Sequence, residues 1–429
     1  MKRYARVFVV ALIFTFSAAA HGMGPAADTQ PTPPWPQWRG PTRDGQVAGP
    51  KWPDSLQEGL LELLWRIPLG PSYSGPIVSD ELVFTTETKN KEIEVVSAFD
   101  RRTGKNRWSR QWPGAISVPF FAKSSGDWIR STPAYDGECL YVAGMRDVLV
   151  CLVAKTGQER WRVDFVKEVK SPVPDFGFVC SPLVDGNFVY VQAGGAVAKL
   201  DKQTGAIIWR TLGDEGGLFG SAFSSPILAE LLGKRQLIVQ TRQKLAGVDP
   251  QSGDVLWSQV VPSFRGMNIL TPVVVGDAIF TSSYQNKSWL YRIAREEDRF
   301  TVAEAWSNKA QGYMSTPVVV GGYAYLHLGN QRFVCINLQN GERMWTSPPF
   351  GKYASLVAQG DRILALDQQG VLLLIKANPE KFELLDSRKV SDAETWAHLA
   401  ISGDEIFVRE LEALAAYRWR RAPGPSPPQ

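Results

Sequence analysis

Five times in this 429-residue chain a glycine is followed, four residues on, by a tryptophan, and each pair sits in nearly the same phrase. The copies are Asp100-Arg-Arg-Thr-Gly104-Lys-Asn-Arg-Trp108, Ala154-Lys-Thr-Gly157-Gln-Glu-Arg-Trp161, Asp201-Lys-Gln-Thr-Gly205-Ala-Ile-Ile-Trp209, Asp249-Pro-Gln-Ser-Gly253-Asp-Val-Leu-Trp257 and Asn337-Leu-Gln-Asn-Gly341-Glu-Arg-Met-Trp345. Trp65 and Trp306 fall in phase, so seven tryptophans are spaced 43, 53, 48, 48, 49 and 39 residues apart. An eighth unit ends in Leu385, and the unit ending at Trp306 carries Arg295-Glu-Glu-Asp-Arg-Phe where the Thr-Gly turn would stand. A unit this short cannot bury its apolar face alone, so the chain must assemble its units against one another.

A second marker runs in phase with the first. A small or hydroxylated residue precedes proline at Gly75-Pro76, Thr132-Pro133, Ser181-Pro182, Ser225-Pro226, Thr271-Pro272 and Thr316-Pro317, then weakens to Ser355-Leu356 and His398-Leu399, which makes eight units. Alternating runs such as Leu140-Tyr-Val-Ala and Ala278-Ile-Phe-Thr, bounded by turns such as Asp136-Gly137 and Asp185-Gly186, divide each unit into four strands. Proline suits the first residue of the inner strand, where its missing N–H need not break a ladder. Glycine suits the turn before the outer strand because it accepts positive φ. Four strands in about 40–50 residues make a propeller blade. The expected fold is all-β: an eight-bladed β-propeller of four-stranded antiparallel blades.

On that fold Trp65, Trp108, Trp161, Trp209, Trp257, Trp306 and Trp345 occupy one place on successive outer strands. There each ring would pack on the neighbouring blade, burying roughly 150–250 Å². The ends explain the closure. Trp65 lies on a strand that precedes any complete blade, whereas the chain finishes with three strands, at 396–401, 405–409 and 411–419, that lack an outer fourth. The N-terminal strand is therefore expected to close the last blade and remove the open sheet edges.

Lys2, Arg3 and Arg6 precede an apolar run from Val7 to Phe16 and the small residues Ala18-Ala19-Ala20. This reads as a signal peptide over 1–22, too short to span a bilayer and without the cysteine a lipoprotein anchor needs. A flexible spacer is expected over 23–34, a Trp- and Pro-rich segment packing on the propeller over 35–59, the propeller over 60–421 and a disordered tail over 422–429. The expected location is the periplasm or the exterior, with a monomeric chain and no transmembrane segment after signal cleavage. Without the three leader cations, 44 basic residues face 43 acidic ones, which argues against a nucleic-acid surface.

Chemistry-bearing motifs are scarce. Cys139 and Cys151 lie on successive strands, where register decides between a disulfide and the favoured reading of free buried thiols; Cys180 and Cys335 are the others. Their spacing excludes a c-type haem. His327 and His398 are the only histidines beyond the leader, so no metal site is expected. No Gly-x-Ser-x-Gly elbow, Walker loop or Gly-x-Gly-x-x-Gly fingerprint is present.

The Asp-x-x-Thr-Gly-x-x-x-Trp phrase resembles the tryptophan-docking motif of the pyrroloquinoline quinone (PQQ) repeat, shared by quinoprotein dehydrogenases and by non-enzymatic propellers of the BamB type. The likeness covers about residues 60–420. Trp35-Pro-Gln-Trp-Arg-Gly-Pro-Thr-Arg-Asp-Gly45 looks like the leading segment of exported bacterial PQQ-like propellers, and its physical reading is an extended strip packed on the ring. For an enzyme, the resemblance implies PQQ and calcium as cofactors, held by flat apolar walls, cations, an oxygen-rich calcium site and an Asp base. Larger quinoprotein alcohol dehydrogenases also stack the cofactor on a disulfide of adjacent cysteines, which this chain lacks; soluble sugar dehydrogenases do without it.

A site is expected over the central channel, built by connections from each outer strand to the next inner one. Those at 109–131 and 162–180 are the longest and carry Phe120, Phe121, Trp128, Arg130, Asp175, Phe176 and Phe178; later ones carry Arg265, Asn268 and Tyr313. Such a set suits a planar ligand or a partner peptide, with the bland alternative that it plugs the channel. The favoured function is an exported, non-catalytic scaffold that binds a protein or ligand on its loop face. The alternative is a PQQ- and calcium-dependent dehydrogenase of alcohols or sugars, with Asp175 as its base and Arg130 or Arg265 holding the cofactor.

Overall fold

The computed structural model describes Met1, residues 33–214 and residues 220–420. The expected signal peptide, most of the spacer and the 422–429 tail lie outside the described residues. Thirty-two strands form eight four-stranded antiparallel sheets. Blades 1 to 7 are consecutive, at 77–113, 134–164, 183–211, 227–260, 273–308, 318–349 and 354–389. Blade 8 takes Ala400–Ser402, Glu405–Arg409 and Ala413–Trp419 from the end of the ring and Leu61–Pro68 from its start. The closing pair runs from Leu61 opposite Trp419 to Pro68 opposite Ala413, with a bulge between Leu63 and Trp65. The last inner strand is shorter than expected, starting at Ala400. Among the described residues, helical turns occur only in connections, at Phe120–Ser125, Phe165–Val169 and Phe264–Gly266.

The repeated phrase has a mechanical explanation. Asp100 caps its own turn, accepting from the backbone N–H of Thr103 at 3.0 Å and its hydroxyl at 2.8 Å, and Asp201 does the same with Thr204 at 2.9 and 2.8 Å. The glycine that follows takes positive φ, and the indole of the preceding blade lies directly on it. A Cβ at Gly104, Gly157, Gly205, Gly253 or Gly341 would come within 2.5–2.9 Å of Trp65, Trp108, Trp161, Trp209 or Trp306 respectively. The indole N–H then donates to a backbone carbonyl of the same turn: Trp65 to Arg101 at 2.9 Å, Trp108 to Ala154 at 2.8 Å, Trp161 to Lys202 at 2.9 Å and Trp306 to Leu338 at 2.9 Å. Glycine is thus required twice, for its backbone angle and for the ring above it.

Trp257 departs from the pattern for a reason visible in the next unit. Blade 5 has lost its Thr-Gly turn, and Trp257 turns its N–H back to Gln236 of its own blade at 2.8 Å. Its ring is buried with Tyr291, Ile293 and Phe300 of blade 5. Arg295, from the turn that replaced Thr-Gly, donates across the junction to Leu232 O at 3.1 Å. Cys139 pairs with Val153, and Cys151 with Tyr141, so the two thiols are diagonal neighbours; all four cysteines are buried and free.

Two buried carboxylates clamp neighbouring blades. Glu94 accepts from Met145 N of blade 2 at 2.6 Å and from Trp112 Nε1 at 2.8 Å, and Asp147 accepts from Gly194 N of blade 3 at 2.7 Å. Burial pushes Glu94 up to about 7, against a smaller opposing pull from these hydrogen bonds and from Arg162 and Arg146, and pushes Asp147 up to about 6.

Two outcomes follow from these contacts. Gly205→Ala should cost about 3 kcal/mol, from a left-handed backbone plus collision with Trp161, whereas Gly276→Ala, at positive φ with open space around it, should cost only about 1–2 kcal/mol; denaturant midpoints compare them. Native Glu94 keeps its proton between pH 4.5 and 7 while the unfolded chain releases it, so stability should fall as pH rises through that window. Glu94→Gln should flatten the slope of melting temperature between pH 5 and 8.

Candidate functional site

The residue before each inner strand stitches the ring together at the channel. Gly75 N donates to Thr132 Oγ1 at 2.9 Å, Thr132 N to Ser181 Oγ at 3.2 Å, Ser181 N to Ser225 Oγ at 2.9 Å, Ser225 N to Thr271 Oγ1 at 3.1 Å and Thr271 N to Thr316 Oγ1 at 3.2 Å. Each hydroxyl satisfies a backbone N–H that the channel would otherwise leave unpaired. Where the marker weakens the ladder stops: Ser355 Oγ is buried without a partner.

The leading strip crosses the channel. Trp35 pairs with Val78 of blade 1, Pro36 O accepts from Tyr135 N of blade 2, and Gly45 and Val47 bond to Ala358 of blade 7. Between these, Arg39 donates to Thr316 O at 2.9 Å and Pro317 O at 2.6 Å, while Arg43 donates to Pro182 O at 2.7 Å and Ser181 O at 3.0 Å. Both guanidiniums are buried, at 1% and 3% exposure, and desolvation pushes each down to about 10, so they remain charged at neutral pH. The strip thereby closes the channel with carbonyl-bonded arginines, which a planar five-donor group can do and a lysine cannot.

Above this floor lies a cavity of about 350 Å³. Its wall follows a rule: the residue two before each marker lines it in every blade, namely Tyr73, Arg130, Val179, Phe223, Ile269, Met314, Tyr353 and Trp396. Trp38 of the strip and His398 complete the lower part, meeting edge to face at 5.7 Å. One side is a run of touching rings, with centroid separations of 4.9 Å for Tyr284–Tyr313, 5.3 Å for Tyr313–Tyr353, 4.0 Å for Tyr353–Trp396 and 4.3 Å for Trp396–Tyr73. Arg130 sits over Tyr73 at 5.9 Å, held by Gly126 O at 2.9 Å and Trp128 O at 3.2 Å. Burial pushes it down to about 10. Burial, reinforced by Arg39, pushes His398 down to about 3, so its ring is neutral. At the rim, Arg265 lies 4.8 Å from the Phe264 ring and 5.8 Å from that of Phe121.

Of the sequence-predicted residues, Phe121, Arg130, Phe176, Arg265 and Tyr313 converge on this cavity. The others do not line it. Trp128 supports Arg130 through its carbonyl, and Asn268, 1% exposed, ties Thr241 O, Arg242 O and Val261 O together at 3.1–3.2 Å. Asp175 stands off the wall, and the described lining residues include no carboxylate. Sequence reasoning reads Trp38 chiefly as a packing residue and misses Tyr73, Tyr353 and Trp396, which the spacing to the second marker would have found. A larger cavity of about 520 Å³ lies to one side, where Asp147, Arg210 and Arg242 are tied to protein partners.

The family model described as Outer membrane protein assembly factor BamB matches residues 92–347. The chain belongs to this BamB-type PQQ-like repeat family. It is 24% identical over 357 residues to BamB of Moranella endobia, spanning 79% of this chain and 84% of that one. It is 23% identical over 324 residues to BamB of Yersinia pestis, spanning 70% and 77%. Among solved structures, BamB from Moraxella catarrhalis superposes with a TM-score of 0.61 at 14% identity, over 85% of this chain and 99% of that one. Quinohemoprotein alcohol dehydrogenase from Comamonas testosteroni gives 0.62 at 14%, over 94% and 83%. These structural likenesses carry the fold alone. Among the described residues no group of three His, Cys, Asp or Glu side chains could hold a metal ion. The described wall offers rings and guanidiniums to a planar anion, and no carboxylate to a calcium ion or as a base.

An aromatic anion such as 8-anilinonaphthalene-1-sulfonate should bind this cavity saturably. Arg130→Gln should weaken it about tenfold, equivalent to about 1.4 kcal/mol, in a fluorescence titration.

Proposed function

We propose that the protein is an exported, non-catalytic scaffold that docks a segment of a partner protein on its loop face. The observation that carries this reading is the rim of the cavity. Phe120, Phe121 and Phe264 are 84%, 49% and 43% exposed there, in contact with one another directly or through Arg265. Large exposed aromatics around a concave centre, with arginine among them, have the composition of a protein-binding hot spot rather than of a solvated surface. The names of the Moranella and Yersinia relatives, both assembly factors, support a role in handling other proteins. Export rests on the leader over 1–22, and no described helix is long and apolar enough to cross a membrane. The dehydrogenase alternative asks for a base and calcium ligands at a wall that supplies guanidiniums, hydroxyls and rings.

Selection of a random peptide library on the full chain tests the proposal. Selected peptides should bind with micromolar Kd and lose about tenfold or more in affinity to a Phe120→Ser, Phe121→Ser, Phe264→Ser variant. Equal binding to that variant would move the docking surface elsewhere. Saturable binding of PQQ with calcium, accompanied by alcohol- or aldose-dependent dye reduction, would overturn the scaffold reading itself.

A further inference from the structure

We infer that the cavity beneath the rim is a socket for the end of a chain: a C-terminal aromatic residue whose free carboxylate is taken by Arg130. The inference rests on the docking reading above and names what is docked.

The first argument is topological. The strip through Arg39 and Arg43 closes the channel, and Trp38 and His398 stand at the bottom of the cavity. A peptide that enters cannot leave on the other side. About 350 Å³ is near the small end of ligand pockets, room for a terminal residue or two rather than for a turn with both arms.

The second argument is charge. Among the described residues no carboxylate forms a close ion pair with Arg130, whose guanidinium leans on two carbonyls and a ring while Asp127 acts on it from further away. A desolvated cation without a contacting counter-ion is costly, so an incoming anion is favoured and an ammonium terminus is repelled.

The third argument is the set of polar atoms left over. Ser315 Oγ, Ser355 Oγ and Trp396 Nε1 are buried without a hydrogen-bond partner, and all three residues line the same cavity as Arg130, before blade 6, in blade 7 and before blade 8, so that Ser315 faces Arg130 across the ring. Ser315 is only 5% exposed. All three can donate, and a carboxylate, as at a peptide end, offers about four acceptor sites. His398 beside them is held by the backbone, with Nδ1 3.0 Å from Leu399 O and Leu356 also against its ring. The rings of Tyr73, Tyr353 and Trp396 surround the same space and suit an aromatic side chain. An internal acidic residue would supply the charge but would bring two chain arms into a blind space.

The test uses the full chain and a labelled peptide, Gly-Ser-Gly-Ser-Gly-Phe, followed by fluorescence anisotropy. The free acid should bind about tenfold or more tightly than the C-terminal amide or a peptide ending in Ala. Arg130→Gln should abolish the acid-over-amide preference and Arg130→Lys should retain part of it, with melting temperature checking that both fold. Equal affinity for acid and amide overturns the inference. So does tight binding of peptides with an internal Glu-Phe and not of the free end, a result that leaves loop-face docking intact. Saturable binding of PQQ with no binding of any peptide, including those selected from the library, would overturn both readings.

Discussion

Everything in this ring depends on a flat contact between an indole and a glycine. An outer strand has no further strand to pair with, and its blade can be held to the next only by what its side chains reach. Tryptophan reaches furthest, covers the backbone of the following turn and donates one hydrogen bond to it, as Trp108 does over Gly157 and Trp161 over Gly205. The contact is asymmetric, since the ring belongs to one blade and the glycine to the next. A change in one unit is therefore felt in its neighbour. Trp257 shows this: its own phrase is intact, but blade 5 has no glycine to receive it, and the N–H returns to Gln236.

The repeat made much of the architecture legible. Glycine and tryptophan at a spacing of four, with a proline marker in phase, give the blade count and place Leu61–Pro68 as the closing strand, because a period constrains every copy at once. The strip at 35–47 was less legible. Its composition shows that it is extended, but Arg39 and Arg43 reach carbonyls more than 130 residues away, and no local pattern specifies such partners.

The site was half legible for the same reason. Reading long connections finds Phe121, Arg130, Phe176, Arg265 and Tyr313 and also brings in Phe120, Trp128, Asp175, Phe178 and Asn268, which share the loops but do not line the wall. Loop length says which segments rise above the channel. It says nothing about which way each side chain faces. Asn268 is the instructive case: a polar residue in a candidate binding loop spends its amide on three backbone carbonyls that the loop's own path leaves unpaired.

The position two residues before each marker separates the fold from whatever the fold binds. The marker hydroxyl is bound into the ladder, and the proline after it starts the inner strand, so both are constrained by the ring. The residue two before them has its side chain over the channel and takes no part in the ladder, which is why it can be tyrosine, arginine, valine, phenylalanine, isoleucine, methionine or tryptophan in one molecule. Eight blades therefore give eight nearly independent choices around one cavity. In this chain they place large rings at blades 7, 8, 1 and 4 and a cation at blade 2, with the unpartnered hydroxyls of Ser315 and Ser355 at blades 6 and 7. Three adjacent rings beside the one cation make the cavity lopsided, against the smaller apolar side chains Val179, Ile269 and Met314 elsewhere on the wall. A ligand that carries its anion and its ring close together at one end is the shape such a wall selects.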